Sequence, residues 1–272
     1  MVYKDCNIGS AKPSEDILKK HPHKMIDVAS PNEIFTVADF YDLSKKIIKN
    51  AHLNKKIPLF VGGSMMYFKL LQNGFHDMPK RDNEYRKNLE IIKLNNPKNY
   101  LYSMLKDIDP DYANKINKND EVRIIRALEI FYSTGKSMTE IFSVKQNKLL
   151  KNKYDIFQFG LVEDRKKLHK KIEIRLNNII EKGFVREAES LLSKYTIKKD
   201  HPLRKSINYK QMFNYLDGES SLKTFFEKAL YATRQLAKRQ ITWQRGWDIH
   251  TQIKESTISI FNKELDKIKS GL

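Results

Sequence analysis

The 272-residue chain has little cysteine, glycine, proline or negative charge. Its one cysteine, Cys6, cannot form an internal disulfide, and cysteine-rich zinc sites are excluded. Ten glycines and eight prolines are too few for a collagen-like or low-complexity chain. No apolar run is long enough to span a bilayer. Met1-Val2-Tyr3-Lys4-Asp5 lacks an apolar segment behind a basic start, so it does not read as a signal peptide. A cytoplasmic protein with no membrane span is the expectation. The 33 acidic residues are outnumbered by 51 Lys and Arg, for a net charge of +18. Such a surplus favours a polyanionic partner, nucleic acid or an anionic membrane. At 40% hydrophobic, the chain can still bury a core.

The first clear unit reads as α/β. Residues 38–50 place Phe40, Leu43, Ile47 and Ile48 at a helical period, with Lys45, Lys46 and Lys49 outside. Ile57-Pro58-Leu59-Phe60-Val61 is a short apolar run that predicts a buried strand. Gly62-Gly63 breaks it, and Ser64 is a good N-cap for a helix that Gly74 stops. This is the grammar of a parallel sheet. Residues 82–153 carry no convincing strand and predict helices, the best of them capped by Asp120 and stopped by Gly135. Residues 154–162 read as a strand returning to the sheet. Helices follow over 165–181, 185–194 and 222–245, and a further one over 262–269. The expected organisation is an α/β core in two parts, 1–81 and 154–272, around a helical insertion, 82–153. The lysine-rich stretches 145–153 and 166–171 read as solvated faces.

Several patterns invite a functional reading and fail it. Gly135-Lys136-Ser137 resembles the end of a P-loop, but Ile130 stands where the first glycine belongs and a helix precedes it, so it reads as a helix C-cap. His21-Pro22-His23 lacks a third metal ligand. His52, His76, His169, His201 and His250 show no partner pattern. Gly62-Gly63-Ser64 is more promising. Amides at that helix start could hold a phosphate and the Ser64 hydroxyl could add a hydrogen bond, although a plain N-cap explains the same residues. Arg123 and Arg126 share one helix face. Arg234, Lys238, Arg239 and Arg245 interleave with Trp243 and Trp247. Arginines beside aromatics suit RNA phosphates and unstacked bases.

Ordered blocks over residues 1–250 resemble one family, the tRNA dimethylallyltransferases. Tyr3-Lys4 with Ile8-Gly9-Ser10-Ala11-Lys12-Pro13 is similar to its "Y-x-G-M-D-I-G-T-A-K-P", and residues 23–27 to "P-H-H-L-I-D". Residues 35–40 resemble "Y-S-V-A-D-F", and 58–68 resemble "P-I-L-V-G-G-T-G-L-Y-F". Asn119-Asp120 with Arg123, Arg126-Ala127-Leu128-Glu129 and Thr134-Gly135-Lys136 resembles "N-D-x-x-R-x-x-R-A-L-E … T-G-K". Ser206-Ile207-Asn208-Tyr209-Lys210 resembles "A-I-G-Y-K", and residues 233–247 resemble "T-R-Q-L-A-K-R-Q-x-T-W-x-R".

The resemblance implies a P-loop-NTPase-like parallel sheet core and a helical insertion that grips the tRNA anticodon stem-loop in a monomeric enzyme. It implies transfer of a dimethylallyl group from dimethylallyl diphosphate to N6 of the adenosine 3′ to the anticodon, with Mg²⁺ as cofactor. Ser64 stands where the family has a substrate-contacting Thr, and Lys205 where many members carry an Arg facing the diphosphate. Both are candidate catalytic residues. Arg86, Val122-Arg123-Ile124-Ile125-Arg126 and Lys205 to Lys210 fall on tRNA-contacting stretches, with Ser64. Gly62, Gly63 and Arg204 are weaker candidates for the diphosphate. The family pattern also opens with a P-loop, "G-P-T-x-S-G-K-S/T", and a "D-S-x-Q" segment whose Asp is the general base on the amine. Met1 aligns with about the end of that segment, so these residues and the first strand have no counterpart among the 272. Two readings stay open: a shortened record of a working enzyme, or a remnant that binds tRNA without turnover. The first fits better, because every other block is coherent. A nucleotide kinase-like phosphotransferase fits less well, since it needs the P-loop.

Overall fold

A computed structural model describes residues 1–74, 76, 78–144, 150–247, 251–254 and 258–270. The chain divides into two compact units, Met1–Phe68 with Ile156–Leu272, and Lys69–Asp155. The elements run, in chain order, α1 (Glu15–Lys20), α2 (Val37–Leu53), α3 (Met65–Asn73), α4 (Asn83–Leu94), α5 (Tyr100–Ile108), α6 (Pro110–Ala113), α7 (Glu121–Thr134) and α8 (Met138–Ser143). They continue with β1 (Phe159–Leu161), α9 (Arg165–Glu181), α10 (Phe184–Lys194), α11 (Pro202–Lys205), α12 (Tyr209–Leu216), α13 (Leu222–Arg245), β2 (Thr251–Ile253) and α14 (Ile258–Ser270).

Local chemistry sets the helix ends. Thr36 and Asp39 form a reciprocal capping box at the start of α2. Asp120 accepts the Arg123 N–H at the start of α7, and Gly135 ends that helix at φ 67°. Gly183, at φ 91°, separates α9 from α10.

The first unit is helical rather than sheet-centred. Its core is a cluster from α9, α10, α12 and α13 around Phe184, Phe213 and Phe225, joined by Tyr3, Cys6 and Ala29. The expected parallel sheet shrinks to β1 paired in parallel with β2, Phe159 opposite Thr251 and Leu161 opposite Ile253. A parallel bridge from Tyr3 to Ala29 adds to it. The predicted strand at 57–61 is not one. An extended run becomes a strand only when a neighbour takes its N–H and C=O groups, and no described residue pairs with it in a ladder. Its apolar side chains Ile57, Leu59 and Val61 are exposed, Val61 at 85%. The expected strand 154–162 survives only as β1, leaving Phe157 exposed. β2 has no sequence signal, because three residues carry no readable alternation.

The second unit is built by α4–α8 around Leu89, Leu105, Leu128 and Ile130. The expected insertion, 82–153, lies within its span. Residues 145–149 of the first lysine-rich stretch, and His250, fall outside the described residues. No described helix is long and apolar enough to cross a membrane.

Candidate functional site

The Gly62-Gly63-Ser64 turn lies immediately before α3. The Ser64 carbonyl accepts the Tyr67 N–H at 2.8 Å, which starts the helix. From α13, Gln240 Nε2 donates to the Gly63 carbonyl at 3.0 Å. A Cβ on residue 63 would lie 2.2 Å from that nitrogen, so a larger residue there would push the Gln240 amide aside and break this hydrogen bond. Ser64 is exposed, and its hydroxyl makes no hydrogen bond among the described residues. Two segments far apart in sequence, the glycine turn and the Thr233–Trp247 stretch, thus meet at an available hydroxyl.

A second locus in the same unit joins the segment after Tyr3 to the start of α12. Glu187, on α10, accepts the N–H groups of Asn7 (2.8 Å), Ile8 (2.6 Å) and Gly9 (3.0 Å), and the Tyr209 hydroxyl at 2.7 Å. Asn208 Nδ2 donates to the Gly9 carbonyl at 3.0 Å. A Cβ on Gly9 would strike the Phe184 ring at 2.2 Å. Asn208 has φ 72° and ψ −56°, a strained turn conformation outside the left-handed helical well. Burial, and then the charges of Cys6 and Glu187, push the Tyr209 phenol well above its ordinary pKa, so it remains a donor. Burial also raises the Cys6 thiol, to about 11.

Around this locus the candidate residues separate. Lys205 and Lys210 are exposed, Ile207 is half-buried and Tyr209 is buried. The Ser206 hydroxyl donates to the Leu203 carbonyl at 2.7 Å. Arg204, expected to face a diphosphate, is committed elsewhere. Its Nε donates to the Ile197 carbonyl, its Nη1 pairs with Asp217 at 2.8 Å, and its guanidinium lies over the Phe213 ring. Sequence adjacency to Lys205 could not show that α11 turns the two side chains to different surroundings.

In the second unit, Arg86 and Arg126 converge on one carboxylate. Glu129, 1% exposed, accepts Arg86 Nε (3.0 Å), Arg86 Nη2 (2.8 Å), Arg126 Nη1 (2.6 Å) and the Asp82 N–H (2.6 Å). Arg126 Nη2 also donates to the Pro79 carbonyl at 2.7 Å. Burial alone would raise the Glu129 pKa; the arginine and backbone hydrogen bonds outweigh it and hold the group below the usual carboxylate range. Arg123 is 64% exposed on its side chain and, among the described residues, pairs with Asp120. Val122 is exposed, Ile125 is half-buried in the core margin, and Ile124 is core, so its side chain cannot reach a ligand.

Sequence reasoning gave Glu129 no role beyond its place in the motif, and missed Glu187 and Gln240. The available signal was position. Glu187 lies at helical spacing from Phe184 and Leu191, both on the apolar face of α10, where an unpaired carboxylate would not be tolerated. On α13, Arg234 Nη2 pairs with Glu173 at 3.1 Å, and its Nε is buried with no partner among the described residues. A cleft of about 780 Å³ lies between the Lys4–Leu18 segment and α9. Its lining includes Lys12, which pairs with Asp27, and Arg175. Among the described residues no three His, Cys, Asp or Glu cluster closely enough to hold a metal ion by themselves.

The IPP transferase family model matches residues 1–247. The chain belongs to the IPP transferase family. It is 40% identical over 268 residues to a tRNA dimethylallyltransferase of Buchnera aphidicola, covering 97% of this chain and 87% of that protein. Among solved structures, the tRNA isopentenylpyrophosphate transferase of Bacillus halodurans matches with a TM-score of 0.67 and 31% identity, over 99% of this chain and 86% of that one. A eukaryotic dimethylallyltransferase acting on tRNA matches with a TM-score of 0.75 and 27% identity, over 94% and 66%. These IPP transferase relatives support the prenyl-transfer class; the roles of individual residues rest on the geometry above.

Proposed function

We propose that this protein transfers a dimethylallyl group from dimethylallyl diphosphate to N6 of the adenosine 3′ to the anticodon of tRNA. The observation that carries the reading is the meeting of the glycine turn with α13, which leaves the Ser64 hydroxyl free beside Gln240. In the transfer, the N6 lone pair attacks the allylic carbon and the carbon–oxygen bond to diphosphate breaks. One proton leaves the amine and passes to solvent water as diphosphate departs. The Ser64 hydroxyl accepts a hydrogen bond from the amine and orients its lone pair; it is too weak a base to keep the proton. Lys205, exposed at the end of α11, supplies positive charge where the leaving group gathers negative charge. The target base is buried in a stacked loop, so it must leave the stack to react. Arg123 and Lys210 contact backbone phosphates of the anticodon stem-loop and set its register.

The test incubates the protein with unmodified tRNA and labelled dimethylallyl diphosphate, then digests the RNA to nucleosides. Label on N6 of the adenosine next to the anticodon supports the reading. RNA binding without label, at saturating donor and Mg²⁺, would reduce it to a tRNA-binding protein.

A further inference from the structure

Tyr85 on α4 and Tyr132 on α7 stack with centroids 4.1 Å apart and planes within 10°. Tyr85 is half-buried, whereas Tyr132 is 67% exposed. One face of the Tyr132 ring therefore covers Tyr85, and most of the rest meets water. Closing the seam between the two helices does not require this ring. Leu89 and Leu128 are already in its core, and Arg86 ties α4 to Glu129 of α7. A tyrosine recruited only for packing would be more deeply covered.

The stack lies beside an ion cluster of two arginines and one glutamate. Arg86 follows Tyr85 in sequence, and Glu129 lies three residues before Tyr132 on the same helix. The aromatic pair thus sits beside the Arg86–Glu129–Arg126 cluster. At 3.6 residues per turn, Arg123 projects from the side of α7 opposite Tyr132, while Arg86 and Arg126 are both held by Glu129. Two guanidiniums against one carboxylate leave a net positive charge beside a flat, open ring, a setting that suits an unpaired base of an anionic RNA.

We propose that Tyr132, backed by Tyr85, is a stacking platform for an unpaired base of the bound RNA. This rests on the RNA-substrate reading above and adds a contact to it. Tyr85 holds the Tyr132 ring in place, so little rotamer freedom is lost when a base stacks. Every base has a π-face, so the platform tolerates any sequence and discriminates unpaired from paired RNA.

The test measures affinity of the full chain for a tRNA anticodon stem-loop and for a blunt RNA duplex of equal length. Tyr132→Ala weakens stem-loop binding about tenfold and leaves duplex binding unchanged. The salt slope of stem-loop binding stays the same, because no charge is lost. Tyr132→Phe keeps wild-type affinity. Tyr132→Leu fills the seam without a flat ring and loses affinity as Ala does, which separates stacking from folding. Unchanged stem-loop affinity in Tyr132→Ala and Tyr132→Leu, or an equal loss on stem-loop and duplex, overturns the platform. Wild-type protein that binds neither RNA overturns the functional reading itself, and this inference with it.

Discussion

Glu129 in one unit and Glu187 in the other both occupy the inward side of a helix, yet their partners differ in kind. Glu129 is held by two guanidiniums and one amide. Glu187 is held by three amides and a phenol. The first arrangement consumes two arginines that a motif reading assigns to RNA. The second consumes only neutral groups, and leaves Lys205 and Lys210 at the surface. Residues that share a motif therefore divide into those that hold the site and those free to touch a ligand. Burial and partner count draw that line; charge and spacing do not.

The sharpest way to break this contrast is at Glu129. Glu129→Ala leaves two arginines facing each other without their carboxylate, and should destabilise the protein by about 3 kcal/mol, since removing one partner of a buried pair strands the other. Denaturant unfolding reads the change. A loss under about 1 kcal/mol would show that the arginines are solvated well enough to do without it. Acid gives the same answer differently. The folded-state pKa of Glu129 is lowered, so its stabilisation is present above the unfolded Glu value, about 4.3, and is lost as pH falls through the folded value. Glu129→Gln should flatten that part of the acid limb of the stability profile.

Glu187→Gln should cost less, about 2 kcal/mol. The amide still offers one oxygen, but its NH₂ confronts donors that the carboxylate accepted. With no cation partner, the penalty is that of unmet neutral donors. A thermal midpoint lower than that of Glu129→Ala would reverse the ranking and with it the distinction between the two clusters.

Much of this organisation was legible in the sequence, for identifiable reasons. The helices at 165–181 and 222–245 match α9 and α13 because their apolar spacing runs over several turns. The Asp120 cap and the Gly135 stop of α7 are local chemistry, readable residue by residue. The run at 57–61 misled because strand character depends on a neighbour that the run itself does not encode. At the site, Gly63 and Ser64 were visible as a turn before a helix. The partner of the turn, Gln240, is 177 residues away and invisible to spacing. The commitment of Arg86, Arg126 and Arg204 to internal partners was likewise hidden, since an arginine's sequence neighbours say nothing about which carboxylate it meets.

Residues free of internal partners should change function without changing stability. Ser64→Ala removes one exposed hydroxyl, so stability should shift by less than about 0.5 kcal/mol. If the hydroxyl orients the amine, single-turnover transfer slows about tenfold, the worth of one hydrogen bond felt at the transition state. tRNA affinity stays the same. An unchanged rate removes Ser64 from the site.

The smallest effect is expected at Arg123, and it separates the two classes of arginine most cleanly. Its side chain is largely solvated, and its ion pair with Asp120 is a surface one that contributes little to stability. Arg123→Ala should leave unfolding within about 0.5 kcal/mol of wild type. It should weaken tRNA binding and lower the slope of log affinity against log salt by about one, the release of one counterion from one phosphate. Arg126→Ala, by contrast, loses contacts to Glu129 and Pro79, so binding and stability fall together. Arg123→Ala with an unaltered salt slope would mean that exposure on α7 does not by itself mark an RNA contact, and the line drawn from burial would fail on the side where it assigns function.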